Sequence, residues 1–415
     1  MRDLLRRNNM ANKNLTNAKR EKNDEFYTQY SDIQKEIEAY LEFDPETFKD
    51  KVIYSNCDDP FESNFFRYFV LNFKRLGLKQ LITTSYKPSP VANTQLELFG
   101  NDKTLKPVKG RPKITANKFV INDVGDMDGN GAFNLTDIAE QLRTNKNNEW
   151  TPLDDDGDFR SQECMELLEQ SDVVVTNPPF SLFREYIKQL FDYDKKFVII
   201  GNMNAITYKE IFPLIKENKL WLGNGFNAGN AYFATPNVRS DFASGVYDQK
   251  TGLVKFRNCH WFTNLDHGRR HQALTLMTME DNLKFNKKMN DKTAYDRYDN
   301  YDAIEVPFTN AIPSDYEGVM GVPISFLDKY NPDQFKIVGF TSGRDEFECR
   351  PSKKYKKPEQ HNANGTISNG SKANTRATTL MSDKPSGIYY TAENADGPFS
   401  IVYARILIKH RKAAA

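Results

Sequence analysis

Apolar residues in this chain switch between two spacings, and the switching predicts an architecture. Val52, Ile53 and Tyr54 follow one another in a short run closed by Ser55, the mark of a buried strand. A polar loop, Asn56-Cys57-Asp58-Asp59-Pro60, comes next. Phe65, Phe66, Phe69, Val70 and Phe73 then recur at helical spacing, and Gly77 suits the left-handed residue that ends a helix. Leu81-Ile82-Thr83-Thr84 is a second strand. Strand, helix and strand in this order favour a parallel pair.

The rhythm returns after Gly157. Ser161 is placed to cap a helix carrying Met165, Leu167 and Leu168. Asp172-Val173-Val174-Val175-Thr176 is a buried-type strand that ends in Asn177-Pro178-Pro179-Phe180. Ser181 is placed to cap the next helix, which has Leu182, Phe183, Tyr186, Ile187, Leu190 and Phe191 on one face. Phe197-Val198-Ile199-Ile200 is the following strand, and Tyr208 to Lys216 reads as helical. Residues 24–222 thus read as one doubly wound α/β domain, with 87–150 as an insertion or long connection.

From residue 223 short strand-like pieces alternate with Asn, Gly, Asp and Pro turns, so 223–415 reads as a mixed α+β region. Within it, 350–395 is rich in Ser, Thr, Asn, Gly and Lys and reads as a mobile basic loop, while Ser400 to Lys409 alternates as a closing strand. Residues 1–23 lack apolar periodicity and read as a basic disordered tail.

Composition narrows the class. Hydrophobic residues are 39% and charged residues 27% of 415, ordinary for a soluble globular protein. No apolar run approaches the roughly 18 residues of a membrane span. Cys57, Cys164, Cys259 and Cys349 lie far apart with no signal peptide before them, so they read as reduced thiols in a cytoplasmic protein. Lys and Arg number 57 against 56 Asp and Glu, a net charge of +1 that hides segregation. Residues 1–22 carry 7 − 2 = +5, residues 350–376 carry 7 − 1 = +6, and residues 122–172 carry 3 − 14 = −11. Basic ends of this kind suit phosphate contact, and they equally suit solvated tails.

The informative string is Asn177-Pro178-Pro179-Phe180. Ligands of a doubly wound sheet bind beyond the carboxyl ends of its strands, where this string is expected. Two prolines stiffen the chain and remove two N–H donors, which leaves carbonyls available to other partners. Asn177 adds a side-chain acceptor and Phe180 a flat apolar face. Such a set can hold a planar base by its exocyclic amine, raise that nitrogen's nucleophilicity and stabilise the charge it develops on alkylation.

These residues resemble the Asn/Asp-Pro-Pro-Tyr/Phe signature of S-adenosylmethionine-dependent amino methyltransferases, and the Asn-Pro-Pro-Phe form points to adenine N6. The likeness extends through Asp24-Glu25-Phe26-Tyr27-Thr28-Gln29-Tyr30, Asn56 to Pro60, Ser63-Asn64-Phe65-Phe66, Gly157 to Ser161 and Gly318-Val319-Met320-Gly321-Val322-Pro323. Together they resemble the EcoRI-type adenine-specific DNA methyltransferases over most of residues 24–340. The resemblance implies a Rossmann-like catalytic sheet at 24–222, a target-recognition region at 223–415 and S-adenosylmethionine as cofactor. It implies that Asn177, Pro178, Pro179 and Phe180 hold a flipped adenine. It implies that Phe26, Tyr27 and Thr28 touch the methionine end of the cofactor, that Asn56, Asp58, Asp59 and Pro60 form the loop beneath it, and that Asp158 and Phe159 read its adenine. The chain departs from the general family in two places: Glu62-Ser63-Asn64 replaces the glycines of the cofactor loop, and Thr83-Thr84-Ser85 replaces the ribose-binding acid, whose role falls in part to Asp58 or Asp59.

Duplex DNA is the expected partner, with Arg269, Arg270, His271, Lys353, Lys354, Lys356 and Lys357 as candidate contacts. A cognate restriction endonuclease and a monomeric, bacterial or phage-encoded enzyme also fit the resemblance. Two readings compete: the same chemistry on RNA adenine or a protein glutamine amide, and a DNA-binding protein that has lost catalysis. No metal is expected. Asp126 to Asp137 has calcium-loop spacing, but its twelfth position is Asp rather than Glu and a strand precedes it; Cys259, His260, His267 and His271 match no standard zinc spacing.

Overall fold

In the computed structural model the first twelve strands, in chain order, are β1 (Tyr27–Thr28), β2 (Val52–Ser55), β3 (Gln80–Thr84), β4 (Asn117–Ile121), β5 (Glu149–Pro152), β6 (Val173–Thr176), β7 (Lys196–Asn202), β8 (Trp221–Leu222), β9 (Ala231–Ala234), β10 (Tyr247–Asp248), β11 (Leu253–Phe256) and β12 (Cys259–Thr263). The structure describes residues 27–57, 63–86, 116–127, 137, 140–141, 147–226, 230–234, 245–289, 291–342, 349–382 and 387–411. The basic tail, Phe26, Asp58, Asp59, Pro60, residues 87–115 and most of the calcium-like loop lie outside these.

The chain is a mixed α/β protein that divides into two compact units, residues 1–205 with 221–268 and residues 206–220 with 269–415. In the first unit an eight-stranded sheet has the order β5-β4-β3-β2-β6-β7-β12-β8. Its centre is parallel, β3 on β2, β2 on β6 and β6 on β7. Parallel neighbours need crossovers, and helices supply them. Between β2 and β3 run α2 (Asn64–Leu71) and α3 (Phe73–Leu76), the latter ended by Gly77 at φ 62°. Between β6 and β7 runs α5 (Phe183–Asp192), and before β6 comes α4 (Gln162–Gln170). The chain therefore builds outward from β2 to β3, then outward the other way from β6 to β7, and the strand order reverses between β2 and β6.

Alternation along the strands buries both faces. Ile53, Leu81, Val173, Val175, Val198 and Ile200 pack with Phe65, Phe66 and Phe69 of α2 and with Ile33, Ile37 and Tyr40 of α1 (Tyr30–Phe43). The alternate residues Tyr54, Ile82, Val174, Phe197 and Ile199 are buried on the opposite face, where Phe191 of α5 meets Phe197 at 5.7 Å. A four-stranded sheet, β1-β9-β11-β10, completes this unit.

Several expectations are corrected. The boundary at 222/223 does not follow the packing: β12, buried at all five residues, pairs antiparallel with β7 and belongs to the first unit's sheet. The changed rhythm after 223 marks the end of helical crossovers, not the end of the catalytic sheet. Residues 87–150 are not wholly an insertion, since β4 and β5 extend the sheet edge beyond β3. Ser161 caps α4 as expected, its hydroxyl oxygen accepting Cys164 N–H at 3.3 Å. Ser181 caps nothing: it lies in a 3-10 turn, Phe180–Leu182, because Leu182 N–H closes onto Pro179 O at 3.0 Å before α5 begins.

In the second unit the expected helix at Tyr208 to Lys216 contracts to α6 (Phe212–Lys216), with Pro213 in its first turn. After α7 (Met279–Phe285) the strands are β13 (Ile304–Glu305), β14 (Met320–Pro323), β15 (Phe335–Phe340), β16 (Glu359–His361), β17 (Ile367–Asn369), β18 (Thr378–Leu380), β19 (Tyr389–Thr391), β20 (Phe399–Ile401) and β21 (Arg405–His410). They form sheets ordered β13-β14-β21-β15 and β17-β16-β19-β20-β18. The closing strand expected at Ser400 to Lys409 is split between the two. The mobile loop expected at 350–395 is instead the five-stranded sheet: Tyr355 stacks on Phe399 with centroids 4.3 Å apart, Tyr390 flanks the same ring, and Ala373 is fully buried among them. This core is so small and so dispersed in sequence that composition reads as loop.

Candidate active site

The ends of β2 and β6 meet where the strand order reverses, which is where an open α/β sheet leaves a crevice. Three hydrogen bonds lock them together. Ser55 Oγ donates to Val175 O at 2.7 Å, the Thr176 hydroxyl donates to the Asn56 backbone carbonyl, and the buried Tyr186 hydroxyl of α5 donates to Asn56 Oδ1. Burial raises the Tyr186 phenol well above its ordinary pKa, so it stays a donor. Asn56 is only 2% exposed, and its side-chain oxygen is committed to this brace.

Asn177 to Phe180 leave β6 at that point. The two prolines keep the backbone extended, with Pro179 at φ −55° and ψ 122°. They treat their carbonyls differently. Pro179 O accepts Leu182 N–H, whereas no hydrogen bond from any described residue reaches the carbonyl of Pro178, itself a buried residue. A buried acceptor without a donor is costly unless something else satisfies it. The Phe180 ring meets the Phe256 ring edge-on at 6.4 Å, and no stacked ring pair involves it among the described residues.

Two cofactor candidates come from β1. Tyr27 and Thr28 pair with Ala234 and Phe233 of β9. Asn64 at the start of α2 donates through Nδ2 to Thr28 O at 2.7 Å, which fastens β1 to the helix entered from the β2 loop. Ser63 caps that helix by accepting Phe65 and Phe66 N–H. Thr28 is 2% exposed, and its hydroxyl is buried without a hydrogen-bond partner. Thr83 Oγ1, at the end of β3, is likewise buried without a hydrogen-bond partner among the described residues.

Asp158 and Phe159 are placed by a tight turn. Gly157 has φ +78°, and a Cβ there would fall 2.0 Å from Ser85 O, so only glycine lets the turn close against the end of β3. The Asp158 carboxylate is held by Arg160, Nε on Oδ1 at 2.9 Å and Nη2 on Oδ2 at 2.7 Å, with Arg160 N–H adding a third bond to Oδ1 at 2.9 Å. Arg160 also reaches Glu185 Oε2 at 3.0 Å, and these carboxylates raise its pKa further above the ordinary guanidinium value. Phe159 is buried, edge-on to Tyr186 at 5.0 Å.

The basic candidates do not assemble. Arg269 pairs with Asp328 at 2.6 Å, Arg270 is buried and bonded to Asn218, and His271 lies 3.4 Å from Asp333. Lys353 is bound to Asp299 at 2.9 Å and Lys357 to Glu393 at 2.5 Å, while Lys354 and Lys356 are exposed and form no ion pair among the described residues. Bonds within the unit thus engage five of these seven candidates.

One element of the site was missed. Glu36 of α1 is fully buried; Oε1 accepts Tyr40 O–H at 2.8 Å and Asn224 N–H at 2.9 Å, and Oε2 accepts Gly225 N–H at 2.9 Å. Burial outweighs these donors and raises its pKa. The carboxylate thereby clamps the segment that leads from β8 to β9, and β9 carries β1. An acid inside the apolar stripe Ile33, Ile37, Tyr40 was the available signal.

Comparison with known proteins places the chain among adenine-specific methyltransferases. The chain is 44% identical over 340 residues to the Type II methyltransferase M.EcoRI of Escherichia coli, covering 81% of this chain and 92% of that protein. It is 33% identical over 324 residues to M.MpnI of Mycoplasma pneumoniae, covering 77% and 83%. To M.MgeORF184P of Mycoplasma genitalium it is 34% identical over 330 residues, covering 77% and 84%. No solved structure matches. The adenine-specific methyltransferase EcoRI family matches residues 14–411, and the chain therefore belongs to that family of enzymes.

Proposed function

We infer that the chain is a site-specific DNA adenine-N6 methyltransferase that uses S-adenosylmethionine, built on a doubly wound Rossmann-like sheet. The observation that carries the reading is the carbonyl of Pro178, a buried residue beside Asn177 at the reversal point of the sheet, which accepts no hydrogen bond from any described residue. Bound there, S-adenosylmethionine supplies a methyl group on a positively charged sulfur. The residues fit that ligand: the buried Thr28 hydroxyl lacks a partner among the described residues, and the Asp158 carboxylate, held in place by Arg160, stands beside the ring of Phe159.

An adenine inside a duplex cannot reach this crevice, so it is flipped out. Asn177 and the Pro178 carbonyl accept its two amine hydrogens, which aims the nitrogen lone pair away from both acceptors and at the methyl carbon. Phe180 offers a ring face to the base. The two acceptors stabilise the positive charge that grows on nitrogen, and the proton departs after transfer, so no strong base is needed. Positioning supplies much of the rate. The second unit reads the DNA sequence, and the enzyme works as a cytoplasmic monomer. The Type II names of the relatives make an endonuclease of matching specificity the companion to look for.

Incubating the purified protein with methyl-labelled S-adenosylmethionine and duplex DNA, then mapping the modified bases, tests this. N6-methyladenine at one recurring sequence is the expected result. Label only in RNA or in protein, or binding of DNA without any transfer, overturns it.

A further inference from the structure

The second unit carries an aromatic and basic patch that lies outside both basic runs of the sequence. Helix α7 starts at a cap, Thr278, whose hydroxyl oxygen accepts Asp281 N–H at 3.1 Å, and it ends by leaving Phe285 61% exposed. Phe308 is 37% exposed. The two belong to one surface, because buried Asn286, next to Phe285, donates through Nδ2 to Asn310 O at 3.2 Å. A lysine stands over each ring: Lys284 Nζ lies 5.1 Å from the Phe285 centroid and Lys288 Nζ 5.1 Å from that of Phe308.

The charge is one-sided. Residues 284–292 hold Lys284, Lys287, Lys288 and Lys292 against the single acid Asp291. Lys292 is paired with Asp296, but Lys284, Lys287 and Lys288 are exposed and form no ion pair among the described residues. The turn that follows α7 and bears Lys287 and Lys288 is anchored: Met289 is fully buried and its N–H bonds to Asn286 O at 2.7 Å. Immediately after Phe308, Thr309 and Asn310 line a cleft of about 370 Å³ that Lys329 also lines.

We propose that this patch, centred on Lys284, Lys287 and Lys288, grips the sugar–phosphate backbone of duplex DNA. The inference rests on the DNA-methyltransferase reading. Unpaired ammonium groups on a fixed turn suit phosphate, a partner that needs charge rather than a shaped pocket. Exposed rings between them suit the apolar faces of deoxyribose. A protein partner fits less well, since the cores of such interfaces are depleted in lysine. The contact is independent of base sequence and holds the duplex while the crevice at β2 and β6 acts on one base.

The test compares the full-length protein with a variant carrying Lys284→Gln, Lys287→Gln and Lys288→Gln, using a fluorescent duplex of random sequence. Each lost phosphate contact removes about 0.9 from the slope of log affinity against log salt, so the slope should fall by roughly 2 to 3 and affinity by at least about tenfold near physiological salt. The loss should be equal for every sequence, methyl transfer at saturating DNA should be unchanged, and the corresponding Lys→Arg variant should recover both slope and affinity. An unchanged slope and affinity while the protein still methylates DNA overturns the patch and leaves the enzyme reading intact. So does a variant that changes only the oligomeric state on gel filtration, which would identify a protein interface. Failure of the unaltered protein to bind or methylate any DNA overturns both.

Discussion

The ring of Phe180 stands edge-on to the ring of Phe256, with centroids 6.4 Å apart and planes at 86°. Phe256, at the end of β11, stands edge-on in turn to Phe233 of β9 at 5.4 Å, and Phe233 pairs with Thr28. Three rings in succession thus join the proposed methyl-transfer motif to the strand proposed to touch the methyl donor. Removing the middle ring should loosen Phe180 without unmaking the crevice. Phe256→Ala is expected to slow single-turnover methylation roughly 10- to 100-fold, with Phe256→Leu close to normal. An unchanged rate in the alanine variant would show that Phe256 does not position the base.

Asn177 tests the acceptor role directly. Asn177→Ala should lower kcat by about 10²- to 10³-fold while S-adenosylmethionine affinity, read by calorimetry, holds. Asn177→Asp keeps an acceptor in place and should retain far more activity than the alanine variant. Equal loss in both would point to a packing role instead.

Gly157 tests the placement of Asp158. Gly157→Ala puts a methyl group 2.0 Å from Ser85 O at a φ of +78°. The strain should cost about 1–3 kcal/mol of stability and raise KM for the methyl donor more than it lowers kcat. Urea unfolding and initial-rate kinetics separate the two effects. A variant of wild-type stability and KM would mean that the turn relaxes freely.

Glu36 makes a prediction about pH. Its folded pKa lies above the ordinary value of 4.5, chiefly through burial. The folded state therefore binds this proton more tightly than the unfolded chain does. The group's contribution to stability is full below pH 4.5 and is lost as pH rises through the raised value. Glu36→Gln removes the titration and leaves one of the three donors without an acceptor, a loss of about 1–3 kcal/mol. The stability gap between wild type and variant, measured by urea unfolding, should be widest in acid and narrow towards neutral pH. A gap that widened with pH would reverse the assignment.

The strands and helices around the crevice were legible in the sequence because each is dense in local signal. Val173 to Thr176 is an unbroken apolar run, Phe65 to Val70 repeats at helical spacing, and Ser161 and Gly77 mark a helix start and a helix end. Asn177-Pro178-Pro179-Phe180 was legible as chemistry because paired prolines change which backbone groups are available, whatever surrounds them. What the sequence by itself determined, then, was the candidate catalytic motif and the parallel strands that present it. Tertiary structure alone decided the rest, through contacts between residues far apart in the chain. It brought Cys259 to Thr263 back to close the sheet beside β7, and it gathered Tyr355, Tyr390 and Phe399 into a core where composition reads as loop. It also spent Arg269, Arg270 and Lys353 on Asp328, Asn218 and Asp299. A run of cations in sequence carries no record of the partner that each will meet, whereas hydrophobic periodicity records the element that a residue belongs to.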